Sequence, residues 1–510
     1  MKELQEVLKD WEAVIGLEIH AELTTLKTKM FCSCPIEFGA DPNTHTCPVC
    51  LGMPGALPVP NKAAIESIVL AGLATNCDIE KRTMFYRKGY FYPDMAKNFQ
   101  TTQGPKAFCM RGHLDVEVPS IAAAERSDID KNEDGSYTAH IGITRIHMEE
   151  DAGKMVHKGG AEGRISGAEY SLVDYNRAGT PLIELVTEPD LRTPEEARLF
   201  MQKLRQIYLA IGISDCSMEE GSMRCDGNVS LRRRGAKEFG TKTELKNMNS
   251  FKNLHDGLAY EIRRQAEVLE NGGTIRQETR HWEPSAKRTI VMRVKETADD
   301  YRMFPDPDLA PFDLSDEFIE GVRAKLPELP DQKCERYMET WSLPKYDASE
   351  LAGDVEVGAL FEACADGKDD AVAKKIANLL INDLPNYLKE ESCELNDLNI
   401  EPASLAKLAE LLADDSIGSK QGKEVFAALL KDNIDVSKYV EEHCMLQKTD
   451  SAEIEAYMQE LMDANMDKVE AYRAGKTGLQ GFFMGQLMKK MAGQGNPKVI
   501  SEIVARMLQG

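Results

Sequence analysis

Residues 145–154 read RIHMEEDAGK, and residues 171–188 read SLVDYNRAGTPLIELVTE, with a Gly-rich loop between them. The first segment is a strand that ends in three consecutive acids, Glu149, Glu150 and Asp151. The tight turn Asn176-Arg177-Ala178-Gly179 then feeds a second strand, Pro181 to Thr187. Successive strand residues point to opposite faces, so Glu184 shares its face with Leu182 and Val186. A carboxylate among apolar neighbours needs a cation or a metal beside it. Two readings follow. The acids and the Gly-rich turn hold a metal and a phosphate, or an Arg177–carboxylate ion pair fixes the turn and does nothing more.

Working outward, other segments repeat the pattern of one apolar and one charged strand face. In VIGLEIHAEL (14–23), Leu17, Ile19, Ala21 and Leu23 share one side. Glu18, His20 and Glu22 share the other, spaced as metal or phosphate ligands would be. In MRCDGNVSLR (223–232), Met223, Cys225, Val229 and Leu231 face inward, while Arg224, Asp226, Asn228, Ser230 and Arg232 line the other side. TKTELKNMN (241–249) places Lys242, Glu244 and Lys246 together. Amphipathic helices interleave with these strands. Lys62 to Asn76 is one. A second starts at Thr193-Pro-Glu-Glu196, with a Thr cap, Pro in the first turn and Glu three residues on, and stops at Gly212. A third is capped by Ser250 and runs to Asn271-Gly-Gly273. The combination predicts an α+β fold: an antiparallel sheet with helices behind it and its polar face open as a cradle. A solvated sheet face is the alternative for any single row.

Between residues 31 and 52, FCSCPIEFGADPNTHTCPVCLG carries two cysteine pairs, Cys32/Cys34 and Cys47/Cys50, with twelve residues between them. That separation fits a tetrathiolate zinc knuckle, with His45 able to replace one thiolate. A closed four-ligand site is structural, so no catalytic role is expected of it. The other eight cysteines are scattered, and in a chain without a secretion signal they read as reduced thiols. Further on, RKGYFYPDMAKNFQTTQ (87–103) sets three aromatics, Tyr90 to Tyr92, beside Lys88 and Lys97. It suits stacking on a base or an RNA end as well as packing on a core.

A chain of 510 residues is too long for one core, so roughly two to four domains are expected. No apolar run is long enough to span a membrane. The mixed-charge start, MKELQEVLKDWE, is neither a signal nor a transit peptide, which makes the cytosol the expected compartment. A net charge of −23 argues against broad nucleic-acid binding but leaves room for a local basic patch. Near residue 299 the texture changes. Pro305, Pro307 and Pro311 interrupt regular structure, and helical patterns follow from Asp316. The expected domains are therefore 1–298 (the cradle, with the knuckle at 32–50), a helical domain 299–405, and an all-helical tail 406–510. The tail concentrates Arg473, Lys476, Lys489, Lys490 and Lys498, either a phosphate-binding patch or solvated helix ends.

With these segments assembled, the chain resembles the GatB family, the B subunits of bacterial tRNA-dependent amidotransferases. VIGLEIHAEL, FCSC…CPVCLGMPGALPVPN, RKGYFYPD, HMEEDAGK, DYNRAGTPLIELVTEPD, GSMRCDGNVSLR, ETRHWE, DYRMFPDPDL and GQLMKKMAGQGNPK carry the resemblance over nearly the whole chain. It implies a glutamine-synthetase-like cradle that acts as a kinase. ATP and Mg2+ serve to phosphorylate the side chain of Glu on mischarged tRNA(Gln), or of Asp on tRNA(Asn). Ammonia then displaces the phosphate. The resemblance also implies a heterotrimer with a glutaminase (amidase) A subunit that supplies the ammonia through a channel and a small C subunit. The tail would hold the tRNA, and the non-discriminating aminoacyl-tRNA synthetase is a further candidate partner.

Carried over by motif, Glu18, His20 and Glu150, together with Glu149, are the expected magnesium ligands, and Glu184 an additional or supporting one. Lys88, Lys97 and Glu150 match the channel-mouth lysines and acid. Arg177, Arg224 and Lys246 are assigned to phosphate contact. The sequence departs from the family pattern at Met95-Ala96-Lys97-Asn98-Phe99-Gln100, where the lysine survives and the neighbouring proline does not. A non-catalytic tRNA scaffold and a stand-alone carboxylate–amine ligase are the competing functions.

Overall fold

The computed structural model describes residues 1–509 apart from 127, 160–166, 295–301, 448–450 and 492–494. Much of the Gly-rich loop that precedes Tyr170, and the boundary expected near residue 299, lie outside the described residues. The chain forms two compact units, Met1–Leu329 and Pro330–Gly510.

The first unit is built on a 12-stranded sheet. From one edge the order is Arg288–Val294, Glu278–Glu283, Thr243–Lys246, Met223–Arg233, Trp11–Glu22, Pro181–Thr187, Tyr137–Glu150, Phe99–Gln103, Phe85–Gly89 and Phe304–Pro305. Cys109–Val118 also pairs with Tyr137–Glu150. The described pairings of this sheet are antiparallel except that between Thr243–Lys246 and Glu278–Glu283. The alternation read from the sequence sets the two faces. Leu17, Ile19 and Ala21 are buried with Ile183, Leu185, Cys225, Val229 and Leu231 in one apolar core. The helices Lys62–Ala74, Pro194–Ala210 and Phe251–Glu270 close that side, contributing Ile68, Phe200, Leu204, Leu258 and Ile262 to the core. The helix start at Thr193 is a complete capping box: the Thr193 hydroxyl accepts from the Glu196 amide, and Glu196 accepts from the Thr193 amide. Burial of some 55 side chains in this one cluster is the main favourable term; its worth scales with the apolar area removed from water.

The prolines after residue 302 do not end the unit. Phe304–Pro305 pairs with the strand Phe85–Gly89, and Asp306 and Asp308 both accept hydrogen bonds from Arg87. Phe312 meets Phe85 and Phe108 edge-on at 5.5 and 5.9 Å. These are long-range contacts that local texture does not reveal, and they carry the unit through Leu329.

The second unit is helical. Residues from Tyr337 to Met445 share one apolar cluster, and those from Ile454 to Leu508 share another. The helix Pro402–Ala413 runs through residue 405, where a boundary was expected, because Leu405, Leu408 and Ala409 are core residues of the first of these clusters. Among the described residues, no helix is long and apolar enough to cross a membrane.

Candidate functional site

On the open face of the first unit's sheet lies a cavity of about 1190 Å³. The register explains what lines it. His20 is the cross-strand partner of Glu184, and Glu184 is the partner of His147 on the next strand. Arg224 stands opposite His20 on the other side. Four adjacent strands thus present Arg224, His20, Glu184 and His147 as one polar row, and Glu18 and Glu149 flank it two residues along their strands. The ligand atoms of Glu18, His20 and Glu184 lie within 4.8 Å of one another, as do those of His147, Glu149 and Glu184. Glu184 belongs to both groups: its Oε2 is 3.2 Å from His20 Nε2 and 3.4 Å from His147 Nε2.

Electrostatics hold this row together. Burial favours a neutral Glu184, but His147 and then His20 outweigh it and hold the carboxyl well below the usual range. Burial likewise opposes a charge on His147, yet the carboxylates of Glu184 and Glu149 raise it to about 9. Burial and the neighbouring Glu184 push Glu18 up. Glu149 also accepts from the Thr102 hydroxyl at 3.1 Å and from the Gln100 amide. Buried acids neutralised by imidazolium are in the state that a divalent cation displaces, since ligands must lose protons to bind it. The two groups share Glu184, line one open cavity, and each offers two carboxylates and an imidazole to such an ion.

The same cavity is lined by Lys88, Arg224 and Lys246. Arg224 donates to Asp151 at 3.1 Å, and Lys246 pairs with Asp226. Both cations are partly exposed and pre-oriented by an acid, which suits a phosphate contact. Arg177 is elsewhere. It donates to the carbonyls of Ala152 and Gly153 and lies 3.5 Å from Asp151, so it braces the turn; Glu184 is not its partner.

Glu150 is also elsewhere. It is one residue beyond Glu149, so it points through to the side that Ile146 and Met148 occupy. There it pairs with Lys97 and accepts from the Thr101 amide at 2.8 Å. Lys97 and Glu150 line a second cavity of about 220 Å³, walled by Phe31, Phe99, Met53, Gly179 and the knuckle. The structure therefore brings Glu18, His20, Glu149 and Glu184 together and leaves Glu150 with Lys97. Lys88 stands in the larger cavity, apart from Lys97. Sequence reasoning passed over His147, although its parity with Glu149 in HMEE places the two on one face.

Cys32, Cys34, Cys47 and Cys50 gather with their sulfurs within 4.8 Å of one another. The Cys47 amide donates to Cys50 Sγ at 3.2 Å. Cys50 is lowered to about 5, first by a hydrogen bond from Cys32 and then by that amide and the Lys29 ammonium, against burial. Four converging thiols with a ready thiolate fit a zinc ion. His45 stands outside the group, its Nε2 3.6 Å from Glu37.

Comparison with known proteins places the chain in a family. The family model for the GatB/GatE catalytic domain matches residues 13–320, and that for the GatB domain matches residues 359–508. The chain belongs to the GatB family. Among its relatives, the B subunit of the aspartyl/glutamyl-tRNA(Asn/Gln) amidotransferase of Carboxydothermus hydrogenoformans is 47% identical over 98% of both chains. The proteins of that name from Persephonella marina and Clostridium botulinum are 46% and 44% identical, each over 98% of this chain and over 100% and 99% of their own. The family match spans both cavities and the knuckle.

Proposed function

We propose that this chain is the kinase and transamidase component of a glutamine-dependent aminoacyl-tRNA amidotransferase. Its substrate is Glu on mischarged tRNA(Gln), Asp on mischarged tRNA(Asn), or both. The observation that carries the reading is Glu184, held between His20 and His147 at the centre of the larger cavity. In the first step a side-chain carboxylate oxygen attacks the γ-phosphorus of ATP. The bond from that phosphorus to the bridging oxygen breaks, and an acyl phosphate and ADP result. Ammonia then attacks the acyl carbon, inorganic phosphate leaves, a proton is lost, and the amide forms.

Charge is the main difficulty of the first step, because an anion must approach an anion. Glu18, His20, His147, Glu149 and Glu184 would hold the magnesium, which supplies neutralisation of the phosphate oxygens when bound. Lys88, Arg224 and Lys246 line the same cavity and orient the phosphates. The Lys97–Glu150 pair, in the smaller cavity, stands where ammonia would enter. Lys97 repels ammonium, and Glu150 accepts a proton from any that arrives. The ammonia would come from an amidase-type A subunit, with a small C subunit completing a heterotrimer. The cradle is of the glutamine-synthetase kind, and zinc closes the knuckle. Lys476 and Lys489, exposed in the helical second unit, would contact tRNA phosphates.

The test is release of γ-phosphate from ATP, stimulated by Glu-tRNA(Gln), in the co-purified complex. Glu184→Gln should lower the stimulated rate by at least about a hundredfold while leaving tRNA binding in place. A Glu184→Gln protein with undiminished stimulated hydrolysis would sink the kinase assignment.

A further inference from the structure

Lys29 is fully buried, yet among the described residues no carboxylate is its partner. Its ammonium donates to the His45 carbonyl at 2.8 Å and to the Tyr175 carbonyl at 3.0 Å, and lies 3.8 Å from Cys50 Sγ. A buried ammonium without a counter-charge is costly, because carbonyl dipoles replace only part of its hydration. The nearest group able to carry a negative charge here is the cysteine cluster. A divalent ion with four thiolates keeps a net negative charge, which in turn is stabilised by a cation or N–H donors around the sulfurs.

Lys29 also joins two parts of the fold. His45 and Cys50 belong to the knuckle, whereas Tyr175 opens the turn that carries Arg177 and Gly179. The same two segments are laced by further bonds. The Asn43 amide donates to Asp174 at 2.9 Å, the Tyr175 amide to the Asn43 side chain at 2.8 Å, and the His45 amide to Asn176 at 2.8 Å. Gly179, with φ +86°, donates to the Asp151 carbonyl and accepts from the Met30 amide. A Cβ there would stand 3.6 Å from the Lys29 stem and 3.8 Å from Glu150 Oε2. Lys29 is therefore a buried link between the cysteines and the turn beside the Lys97–Glu150 cavity, a cavity that Cys32 and Cys50 also line directly.

We propose that Lys29 is the counter-charge of the four-cysteine metal site: its ammonium donates to the Cys50 thiolate and couples metal loading to the turn beside Glu150. The inference rests on the reading of the knuckle as a zinc site. Lys29 is a positioning residue in this scheme: its ammonium is engaged by the His45 and Tyr175 carbonyls and Cys50.

The experiment compares the full-length wild-type protein with Lys29→Met, which keeps an unbranched stem, one atom shorter, and loses charge and donors. Asn43→Ala serves as a second variant that loosens the knuckle on the turn without touching a sulfur. Zinc transfer to a chromophoric chelator and the sulfur-to-cobalt charge-transfer band of the Co2+-loaded proteins are measured. Lys29→Met should lower zinc affinity by about 10- to 100-fold and move the band to lower energy, since an unpaired thiolate is the better electron donor. Asn43→Ala should leave the band in place. A Lys29→Met protein with unchanged affinity and band overturns the proposal, as does a band that moves alike in both variants.

If Lys29→Met fails to accumulate, lysine acylation of the wild-type protein answers the same question. Bound zinc should protect Lys29, and its removal should expose Lys29 while Lys27 and Lys62 keep their reactivity. Equal acylation of Lys29 with and without zinc overturns the proposal. Wild-type protein that binds no zinc refutes the zinc reading itself, an outcome distinct from zinc-loaded protein indifferent to Lys29.

Discussion

Replacing Lys97 with methionine should destabilise the first unit more than replacing Glu150 with glutamine. Glu150 is 3% exposed and Lys97 11%, so the pair is shielded from water on both sides. In Lys97→Met the carboxylate keeps one donor, the Thr101 amide. Leaving a buried charge without its partner costs about 3–5 kcal/mol, and the surviving amide bond places this case near ~3 kcal/mol. In Glu150→Gln the lysine retains the Thr101 hydroxyl at 3.3 Å and the Phe99 ring, 4.8 Å from its ammonium. A cation–π contact of about 0.5–2 kcal/mol offsets part of the loss, so roughly 1–2 kcal/mol remains. The double variant removes both charges and should be less destabilised than Lys97→Met alone, a coupling of ~2 kcal/mol. The assay is urea unfolding of the full chain in a Trp341→Phe background, so that emission reports Trp11 and Trp282 in the first unit. Additive effects within about 0.5 kcal/mol, or a larger loss in Glu150→Gln, would refute the reasoning. On function, both single variants should lose amidation driven by glutamine more than amidation driven by added ammonium salt.

Three further outcomes are expected. Gly52 has φ +65°, and a Cβ there would meet Lys97 Cγ at 2.5 Å. Gly52→Ala should therefore cost about 1–3 kcal/mol and lower glutamine-dependent amidation without raising the KM for ATP; unchanged activity would mean that Lys97 has room to move. His147→Ala should raise the Mg2+ concentration needed for half-maximal stimulated ATP hydrolysis by about 10- to 100-fold, and an unaltered Mg2+ titration would remove His147 from the ligand set. Lys476→Glu with Lys489→Glu should weaken tRNA binding and reduce the slope of log affinity against log salt by about 2, with ATP hydrolysis at saturating tRNA preserved. A slope equal to that of the wild type would assign these lysines to ordinary solvated helix ends.

What could be read from the sequence follows a physical division. Alternation is a local signal, so the apolar and polar faces of Trp11–Glu22 and Met223–Arg233 were legible, as were Ser250 as a helix cap and the Thr193 capping box. The acids Glu18, Glu149 and Glu184 were legible as a group because each stands on a polar or anomalous strand position. Register between strands is not local, so the His20–Glu184–His147 row emerged only when the strands were paired. Glu150 was carried over to magnesium by motif together with Glu149, but adjacent residues of a pleated strand face opposite sides, and Glu150 stands with Lys97 in the smaller cavity. The role given to prolines 305, 307 and 311 failed for a related reason: the Arg87 bonds to Asp306 and Asp308 span more than two hundred residues. Lys29 had no sequence signature at all, since a lysine becomes unusual only when it is known to be buried.

Glu149, Glu150 and Asp151 serve two chambers from one strip of backbone. Glu149 and Asp151 face the larger cavity, and Glu150 faces the smaller. This makes the segment intolerant of length change in a way unrelated to side-chain chemistry. Deleting or inserting one residue between Ile146 and Asp151 would exchange the sides, handing the acid of one compartment to the other and turning Ile146 or Met148 toward solvent. Conservative point substitutions here alter one chamber at a time, whereas a single-codon insertion or deletion disables both at once. A saturation library of this segment should therefore contain survivors with changed letters and none with changed spacing.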